Sequence, residues 1–220
     1  MRLLESTSEH FVGVDLGQRQ DFTALCVVER LERRYDAVDR VTWQNFRETT
    51  YCLRYLQRVP LGTTYPAVVA RVMKLVKNPK MTGGCELVVD ATGVGGAVLD
   101  MLREAWPGGR LVPVTITGGK SPVQSGAAWS VPKRDLVVGL QVMFEKGEMR
   151  IAGNVPEYGK FLKELGGMRV KVSASGHDSY GNRRQGEHDD LVLAVAMACW
   201  RAKQPNRWNW FGGRPDGYAV

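Results

Sequence analysis

The chain has 220 residues, 44% of them apolar and 24% charged, with a formal net charge of +7 at pH 7. This composition is typical of an ordinary globular protein, and no stretch approaches the roughly 18 consecutive apolar residues that a membrane span needs. The first ten residues lack the apolar core of a signal peptide, so we expect a cytoplasmic protein. Four scattered cysteines without a CxxC spacing favour reduced, buried thiols over a zinc site. The positive charge favours an anionic partner, most commonly a nucleic acid.

The first quarter of the chain predicts three strands in an antiparallel meander. Apolar residues alternate with others over 11–17, which is the period of a strand, and further strands are predicted at 23–30 and 38–47. Polar turns are predicted between them, at 17–21 and 31–37. Strands that are joined by such short turns pair with their neighbours along the chain.

The remaining chain predicts alternating helices and strands. The predicted helices begin at Pro66, cover 95–106, begin at Pro132, lie around 156–166 and cover 189–202. The other predicted segments are strands at 85–93 and 110–117, a loop at 118–130, a short strand or turn at 147–153, and a strand with a long polar loop within 168–190. This order predicts an α/β fold in which a mixed central sheet, the meander followed by parallel strands, carries helices on both faces. We assign one domain to residues 1–203 and an irregular tail to 204–220.

Two carboxylates stand at the ends of apolar strands. Asp15 ends the first predicted strand, and Asp90 ends the run ELVVD, which is typical of a parallel strand buried on both faces. If these strands are parallel neighbours, about 4.8 Å apart, the two carboxylates lie side by side and repel each other, and a divalent cation relieves the repulsion. Each residue alone is also consistent with a turn or a helix cap.

A second acidic pair, Asp189 and Asp190, stands at the head of the most apolar predicted helix. One aspartate is enough for an N-cap, and the helix dipole stabilises both as anions. The pair therefore indicates a charged site, although a cap beside one solvated neighbour explains it as well. His188 is a candidate metal ligand or base beside the pair, or else a surface histidine.

The glycine-rich run GVGG at 93–96 only partly matches a phosphate-binding loop. It lacks the full GxGxxG spacing and follows the fourth predicted strand rather than the first, so close packing of a helix on a strand explains it better. No P-loop motif occurs in the sequence.

Four segments in this order resemble the nuclease domain of tailed-phage large terminases. They are VGVDLG at 12–17, LVVDATGVGGAVLDML at 87–102, VPKRDLVVGLQVMFEKGEMRI at 131–151 and HDDLVLAVAMA at 188–198. Each segment is short, but the four at these separations are much more specific than any one. Large terminases are DNA-packaging motor proteins, and their nuclease domain has the ribonuclease H-like fold. The resemblance covers about residues 10–202 and implies that fold for this chain.

The resemblance also implies an activity, which is metal-dependent endonucleolytic cleavage of double-stranded viral DNA during genome packaging. Asp15, Asp90 and either Asp189 or Asp190 would be the catalytic residues, with His188 as a further candidate ligand. They would hold two divalent cations, Mg²⁺ or Mn²⁺, for two-metal hydrolysis of a phosphodiester bond.

Partners follow from the same resemblance. Full-length large terminases carry an ATPase domain ahead of the nuclease, and these 220 residues contain none. The implied partners are therefore double-stranded DNA, such an ATPase domain, the portal and the small terminase, within the host cell cytoplasm during phage assembly.

Basic residues near two predicted loops are candidates for contact with the DNA backbone, although a surface Lys or Arg is usually just solvated. They are Lys120, Lys133 and Arg134 near the middle loop, and Lys171, Arg183 and Arg184 near the late loop. By the resemblance, the late loop covers about 173–187 and often forms a β-hairpin near the DNA. In the tail, aromatic residues and cations alternate between Arg207 and Arg214. That pattern fits stacking on nucleic acid, packing on the domain, or contact with another packaging protein.

Three other functions remain open on the residues alone. An ATP-binding fold of the actin and sugar-kinase type also begins with VDLG, but it needs a second glycine-rich phosphate turn, which VVDATGVG fits poorly. A non-catalytic DNA-binding or nucleotide-binding module of related fold would not require the full acidic set. A Holliday-junction resolvase or transposase would share the ribonuclease H-like fold and differ in its preference for branched DNA.

Overall fold

A computed structural model describes residues 1–17, 21–81, 84–93, 96–172, 178–182 and 188–204. The strands of this described part are β1 (Leu3–Asp15), β2 (Thr23–Val38), β3 (Asn45–Val59), β4 (Cys85–Asp90), β5 (Arg110–Thr117), β6 (Val123–Ser125), β7 (Ala128–Pro132), β8 (Met149–Ile151), β9 (Met168–Val172) and β10 (Asp178–Asn182). Its helices are α1 (Tyr65–Val76), α2 (Gly96–Ala105), α3 (Lys133–Glu145), α4 (Tyr158–Gly167) and α5 (Asp190–Lys203).

Eight of these strands form one mixed sheet, in the order β6-β7-β5-β4-β1-β2-β3-β8. The first three strands pair antiparallel as a meander, and β4, β5 and β7 extend the sheet on the other side of β1 as parallel neighbours. β8 adds in parallel to β3, β6 returns antiparallel beside β7, and β9 pairs with β10 as a separate hairpin. The predicted mixed sheet is confirmed.

The meander is longer than predicted, and two predictions within it are wrong. Residues 31–37 are not a turn but part of β2, and the third strand covers Asn45–Val59 instead of 38–47. This end of the meander is largely exposed, and cross-strand ion pairs such as Arg34 with Glu5, at 3.4 Å, stabilise it. Because charged residues occupy both faces there, the sequence lacks the apolar alternation that marks a half-buried strand.

The loop predicted at 118–130 is wrong in part, because it contains the hairpin of β6 and β7. Gly126 lies in the two-residue turn with φ of 60°, a backbone angle that glycine adopts without strain. All three residues of β6 are exposed, so they carry no apolar pattern that could have predicted a strand.

Helices cover both faces of the sheet, as predicted. On one face, α1 and α2 pack on the even-numbered residues at the end of β1, such as Val12 and Val14. On the other face, α3, α4 and α5 pack on Phe11, Val88 and their neighbours. The side chains of the central strands therefore alternate between two separate apolar cores.

Helix α5 lies directly on the first strand. Eleven of its fourteen residues are buried, which confirms the prediction of a covered helix. Gly13 makes the close approach possible, because a Cβ at this position would lie 2.1 Å from the carbonyl oxygen of Ala194 and 2.8 Å from the Cys26 sulfur. A glycine in a strand often marks such an approach. The contact brings the amino end of α5 beside the end of β1.

No described helix is long and apolar enough to cross a bilayer. The four cysteines are free thiols, of which Cys26 and Cys199 are buried and the other two half-buried. Burial raises the pKa of Cys26 to about 12, so this thiol stays protonated and packs as a small apolar group.

Candidate active site

The first two predicted carboxylates meet at one edge of the sheet. Asp15 and Asp90 are the last residues of β1 and β4, which are parallel neighbours with Val14 opposite Val89. Both side chains belong to the face that α5 covers, because Asp15 alternates with Leu16 and Val14 of the opposite core. Burial leaves Asp15 9% and Asp90 7% exposed. The chain thus places two carboxyl groups side by side, away from bulk water.

These two carboxyl groups are close enough to shift each other's pKa. Burial raises the pKa of Asp15 well above its usual value, and the negative charges of Asp90, Asp190 and Asp189 raise it further. Burial also raises the pKa of Asp90, while a hydrogen bond from the Thr92 backbone N–H to Asp90 Oδ1, at 2.8 Å, acts in the opposite direction. Burial and repulsion thus favour the protonated form of Asp15 where no cation is bound.

The late acidic pair is held by two cations. Asp189 is the N-cap residue of α5, but its side chain makes no capping hydrogen bond and instead accepts one from Lys133 Nζ at 2.6 Å. Asp190 is 6% exposed and accepts two hydrogen bonds from Arg58, from Nε to Oδ2 and from Nη2 to Oδ1, both at 2.9 Å. Burial raises the pKa of Asp190, although the hydrogen bonds and charge of Arg58 lower it.

The register of the sheet explains why Asp190 lies near Asp15. Asp15 is opposite Ala24 on β2, and Ala24 is opposite Arg58 on β3. The small side chain of Ala24 separates the carboxyl of Asp15 from the guanidinium of Arg58 in this row. Asp190, at the head of α5, binds Arg58, and its negative charge raises the pKa of Asp15.

A fifth carboxyl group completes the cluster. Glu164 on α4 forms an ion pair with Arg58, and its Oε2 accepts a hydrogen bond from the backbone N–H of Leu191 at 3.2 Å. Burial and the charge of Asp190 raise the pKa of Glu164 to about 7. The Arg58 guanidinium lies over the ring of Phe22, with its central carbon 4.9 Å from the ring centre. Such a cation–π contact further restricts the arginine.

Among the described residues, no three His, Cys, Asp or Glu side chains are placed so that together they could hold a metal ion. Asp15 and Asp90 converge, whereas Asp189 and Asp190 direct their carboxylates to Lys133 and Arg58. The donor set still fits a hard divalent cation in its chemistry, because it consists of carboxylate oxygens, and these suit Mg²⁺ and Mn²⁺. A cation would replace the proton that the raised pKa of Asp15 favours, since metal ligands bind in their deprotonated form.

His188 lies beside this cluster, directly before Asp189. Its ring meets the ring of Phe22 edge-on, with the centres 4.9 Å apart, and its charge lowers the pKa of Asp190 slightly against the larger effect of burial. A role for His188 as a ligand or base stays a prediction.

The basic residues predicted to contact DNA fall into four groups. Lys133 lies within the acidic cluster, where it pairs with Asp189. Arg134 Nη2 donates to the backbone carbonyl of the exposed Lys120 at 3.4 Å, so the two residues adjoin each other. Lys171 is on β9, which pairs with β10 before α5, so this pairing begins ahead of the 173–187 loop in which the resemblance placed a hairpin. Arg183, Arg184 and the aromatic tail lie outside the described residues.

Sequence reasoning missed Arg58, Glu164 and Phe22. Arg58 could have been found only with the register, because a cation near the end of a strand is common and nothing local relates it to Asp190. Glu164 is one of several charged residues on an amphipathic helix and carries no local signal. Long-range strand and helix packing, rather than a motif, brings these side chains to the site.

Carboxyl groups at the ends of neighbouring first and fourth strands, with others at the head of the covered last helix, define a ribonuclease H-like domain. The family model described as the terminase RNaseH-like domain matches residues 53–201, and the chain belongs to this family. The matched range includes Asp90, Asp189 and Asp190, while Asp15 precedes it. No curated protein matches the chain.

Solved structures agree in fold. The large terminase nuclease from thermophilic phage G20c is 24% identical with a TM-score of 0.55, over 89% of this chain and 85% of that chain. A structure of the same nuclease with bound magnesium is 24% identical with a TM-score of 0.56, over 90% and 86%. The nuclease domain of the large terminase subunit of bacterial virus Sf6 is 14% identical with a TM-score of 0.52, over 90% and 89%. The predicted resemblance and the ribonuclease H-like fold are confirmed.

Proposed function

We propose that this chain is a divalent-metal-dependent endonuclease that cleaves double-stranded DNA during packaging of a viral genome. The observation that carries the proposal is the buried pair of Asp15 and Asp90 at the ends of neighbouring parallel strands. Asp189 and Asp190 add negative charge to the same place, in a chain of the terminase family. A nuclease of similar fold has been solved with bound magnesium, which supports Mg²⁺ as one candidate cation.

In this proposal, Asp15, Asp90 and the late pair hold two divalent cations, Mg²⁺ or Mn²⁺. Cations so placed lower the pKa of a bound water and stabilise the charge of a phosphodiester. Asp15 must release its proton before it can bind a cation, and the loss is favoured once positive charge is present. In the net reaction, water adds to phosphorus, the bond to the 3′-oxygen breaks, and a 5′-phosphate and a 3′-hydroxyl remain.

Other residues of the chain have supporting roles. Lys133 and Arg58 fix the carboxylates of Asp189 and Asp190, and the charge of Lys133 also lowers the pKa of Asp90 against the larger effect of burial. Lys120 and Arg134 are adjoining candidates for phosphate contact. Lys171, Arg183 and Arg184 remain candidates near the late loop. The net charge of +7 supports DNA approach despite the acidic site.

The wider setting is part of the same proposal. We expect residues 1–203 to act as one nuclease unit with 204–220 as a tail, and the unit to work with an ATPase domain, the portal and the small terminase. The expected location is the cytoplasm of the host cell during phage assembly. Membership of the terminase family supports this setting.

A plasmid cleavage assay tests the proposed activity. Supercoiled plasmid is incubated with the protein in Mn²⁺, Mg²⁺ or EDTA, beside Asp15→Asn and Asp90→Asn, which keep the side-chain shape. We expect nicking and linearisation with little sequence preference, only in the presence of metal, and none by either variant. Asp100→Asn is the matched control, because Asp100 is a surface residue paired with Arg103 on α2 and should leave cleavage unchanged.

Cutting that persists in EDTA, or that both site variants retain, would reject the proposal. A strong preference for a four-way junction over linear duplex would instead indicate a junction resolvase. Thermal melts of each variant in EDTA establish that lost cleavage is not lost folding.

A further inference from the structure

We propose that Arg58, anchored by Glu164, is a positioning residue that holds the Asp190 carboxylate in one orientation beside Asp15 and Asp90. The inference rests on the proposed function, since it concerns how the chain holds its divalent cations. It assigns to the end of β3 and to α4 a part in building a site whose candidate ligands all come from β1, β4 and the head of α5.

The hydrogen bonds of Arg58 leave Asp190 little rotational freedom. Its Nε and Nη2 atoms bind the two carboxylate oxygens at 2.9 Å each, which is the bidentate geometry of an Arg–carboxylate pair. The Arg58 side chain is itself 14% exposed and lies over the Phe22 ring. A planar, restricted donor thus sets the plane of the Asp190 carboxylate.

The contact leaves Asp190 able to act as a ligand. Arg58 and Asp15 are the neighbours of Ala24 in one row across the sheet, and Asp190 binds Arg58 while its charge acts on Asp15. Each carboxylate oxygen has two lone pairs, and Arg58 together with the backbone N–H of Asp190 itself uses three of the four, so one remains. Partners outside the ligands orient them in this way in metal sites generally.

Glu164 holds both members of this contact in place. One of its oxygens pairs with Arg58, and the other accepts the N–H of Leu191, in the first turn of α5. The residue thus caps a helix whose own N-cap, Asp189, uses its side chain elsewhere. The rotation of Asp190 and the start of its helix are therefore fixed by one side chain from α4.

Charge and geometry can be separated by substituting Arg58→Lys. Lysine keeps the positive charge but loses the planar fork, so the long-range attraction or repulsion of a cation is unchanged while the orientation of Asp190 is lost. Arg54→Lys is the matched control on the same strand. Arg54 also binds one carboxylate, Glu29, through Nε and Nη2, but it lies four residues from Arg58 and is half exposed.

The experiment measures Mn²⁺ binding to metal-free protein by isothermal titration calorimetry, without DNA. We expect Arg58→Lys to raise the Kd for Mn²⁺ by about 10–100-fold, the range seen when an outer partner of a ligand is lost. Glu164→Gln should raise the Kd as well, since it weakens the anchor of Arg58, and Arg54→Lys should leave it within about twofold. Thermal melts in EDTA check that each variant is folded. If Arg58→Lys is unfolded, the Kd of Glu164→Gln for Mn²⁺ tests the positioning role instead.

The outcomes separate this inference from the proposed function. If the wild type binds Mn²⁺, Asp15→Asn abolishes binding, and Arg58→Lys binds as the wild type does, the positioning role is wrong and the nuclease proposal stands. Tighter binding by Arg58→Lys would overturn the role too, because Arg58 would then act only as a competing cation. If the wild type shows no saturable Mn²⁺ binding, both proposals fall.

Discussion

The two ends of helix α5 hold charged residues in opposite ways. At its carboxyl end, Arg201 pairs with the buried Glu86, at 2.6 Å, and Arg110 adds a second cation to the same carboxylate. Arg30 there donates to the carbonyl oxygen of Ala202 and pairs with Glu9. At its amino end, the cations are Arg58 and Lys133, and the carboxyl groups are Asp15, Asp90, Glu164, Asp189 and Asp190.

The two ends of α5 differ in whether their buried charges are balanced, and this difference distinguishes a stabilising contact from a candidate functional site. Buried charges are tolerated when each is paired, and the carboxyl end satisfies this rule. The amino end does not, because among the described residues five carboxyl groups there face Arg58 and Lys133, and burial and the neighbouring carboxylates raise the pKa of Asp15. An excess of buried negative charge costs stability unless a cation joins it. We therefore interpret the ion pairs of Glu86 with Arg201 and Arg110 at the carboxyl end, called the clamp below, as the contacts that fix α5 on the sheet. The amino end of the same helix forms the candidate active site.

Removing the carboxylate at the clamp should have the largest effect. Glu86→Ala leaves the guanidinium of Arg201, which is 11% exposed, without its partner. Truncating one member of a buried ion pair costs about 3–5 kcal/mol of unfolding free energy, and we expect the lower end because Arg110 is half exposed. Urea denaturation of metal-free protein measures the loss. Asp100→Ala, which breaks a surface pair, should change the free energy by no more than about 0.5 kcal/mol.

Separating α5 from the sheet should disturb both ends together. In Gly13→Ala the new methyl group meets the carbonyl oxygen of Ala194, so the helix must shift, and overpacking of this kind costs about 1–3 kcal/mol. Mn²⁺ binding should weaken in the same variant, because the shift moves Asp190 relative to Asp15. Gly139→Ala on α3 is the control, since no atom lies within 4 Å of the added Cβ, and it should be neutral or slightly stabilising. If Gly13→Ala is destabilised but its Kd for Mn²⁺ is unchanged, the position of α5 on the sheet does not determine the geometry of the amino end.

Removing a carboxyl group at the amino end should raise the free energy of unfolding instead of lowering it. Asp15→Asn keeps a donor for Asp90 but removes a carboxyl group whose pKa burial and neighbouring carboxylates raise. We expect the variant to be more stable than the wild type in EDTA at pH 8, because it need not hold a proton that the unfolded chain releases. Mn²⁺ should raise the melting temperature of the wild type and not that of the variant. A variant less stable than the wild type in EDTA would contradict the interpretation that buried negative charge at the amino end costs stability.

The carboxyl groups at the strand ends were predictable, and their cationic neighbours were not. Asp15 and Asp90 follow apolar runs whose length and composition mark buried strands, so the sequence indicates which edge they share. Arg58 becomes part of the site only through two strand registers and the approach of α5 at Gly13. Local patterns do not encode such distances.

Prediction from the sequence also failed for the exposed strands of the fold. Strand prediction relies on one buried face, and both the far end of the meander and the β6–β7 hairpin lack one. The core helices were predicted well, because apolar residues at helical spacing mark α1, α2, α3 and α5 directly. Prediction thus succeeded where burial imposes a pattern and failed where water covers both sides.

The smallest expected effect is a pH dependence that belongs to the amino end alone. Burial and the charge of Asp190 raise the pKa of Glu164 from 4.5 to about 7, so between these values the folded protein binds a proton that the unfolded chain has lost. The stability that this proton contributes is fully present below pH 4.5 and is lost as the pH rises through 7. Urea denaturation in EDTA across this window should show the unfolding free energy of the wild type falling faster than that of Glu164→Gln, by no more than about 1 kcal/mol per pH unit. Parallel curves would mean that Glu164 is ionised throughout, and that Arg58 compensates the amino end as fully as Arg201 compensates the other.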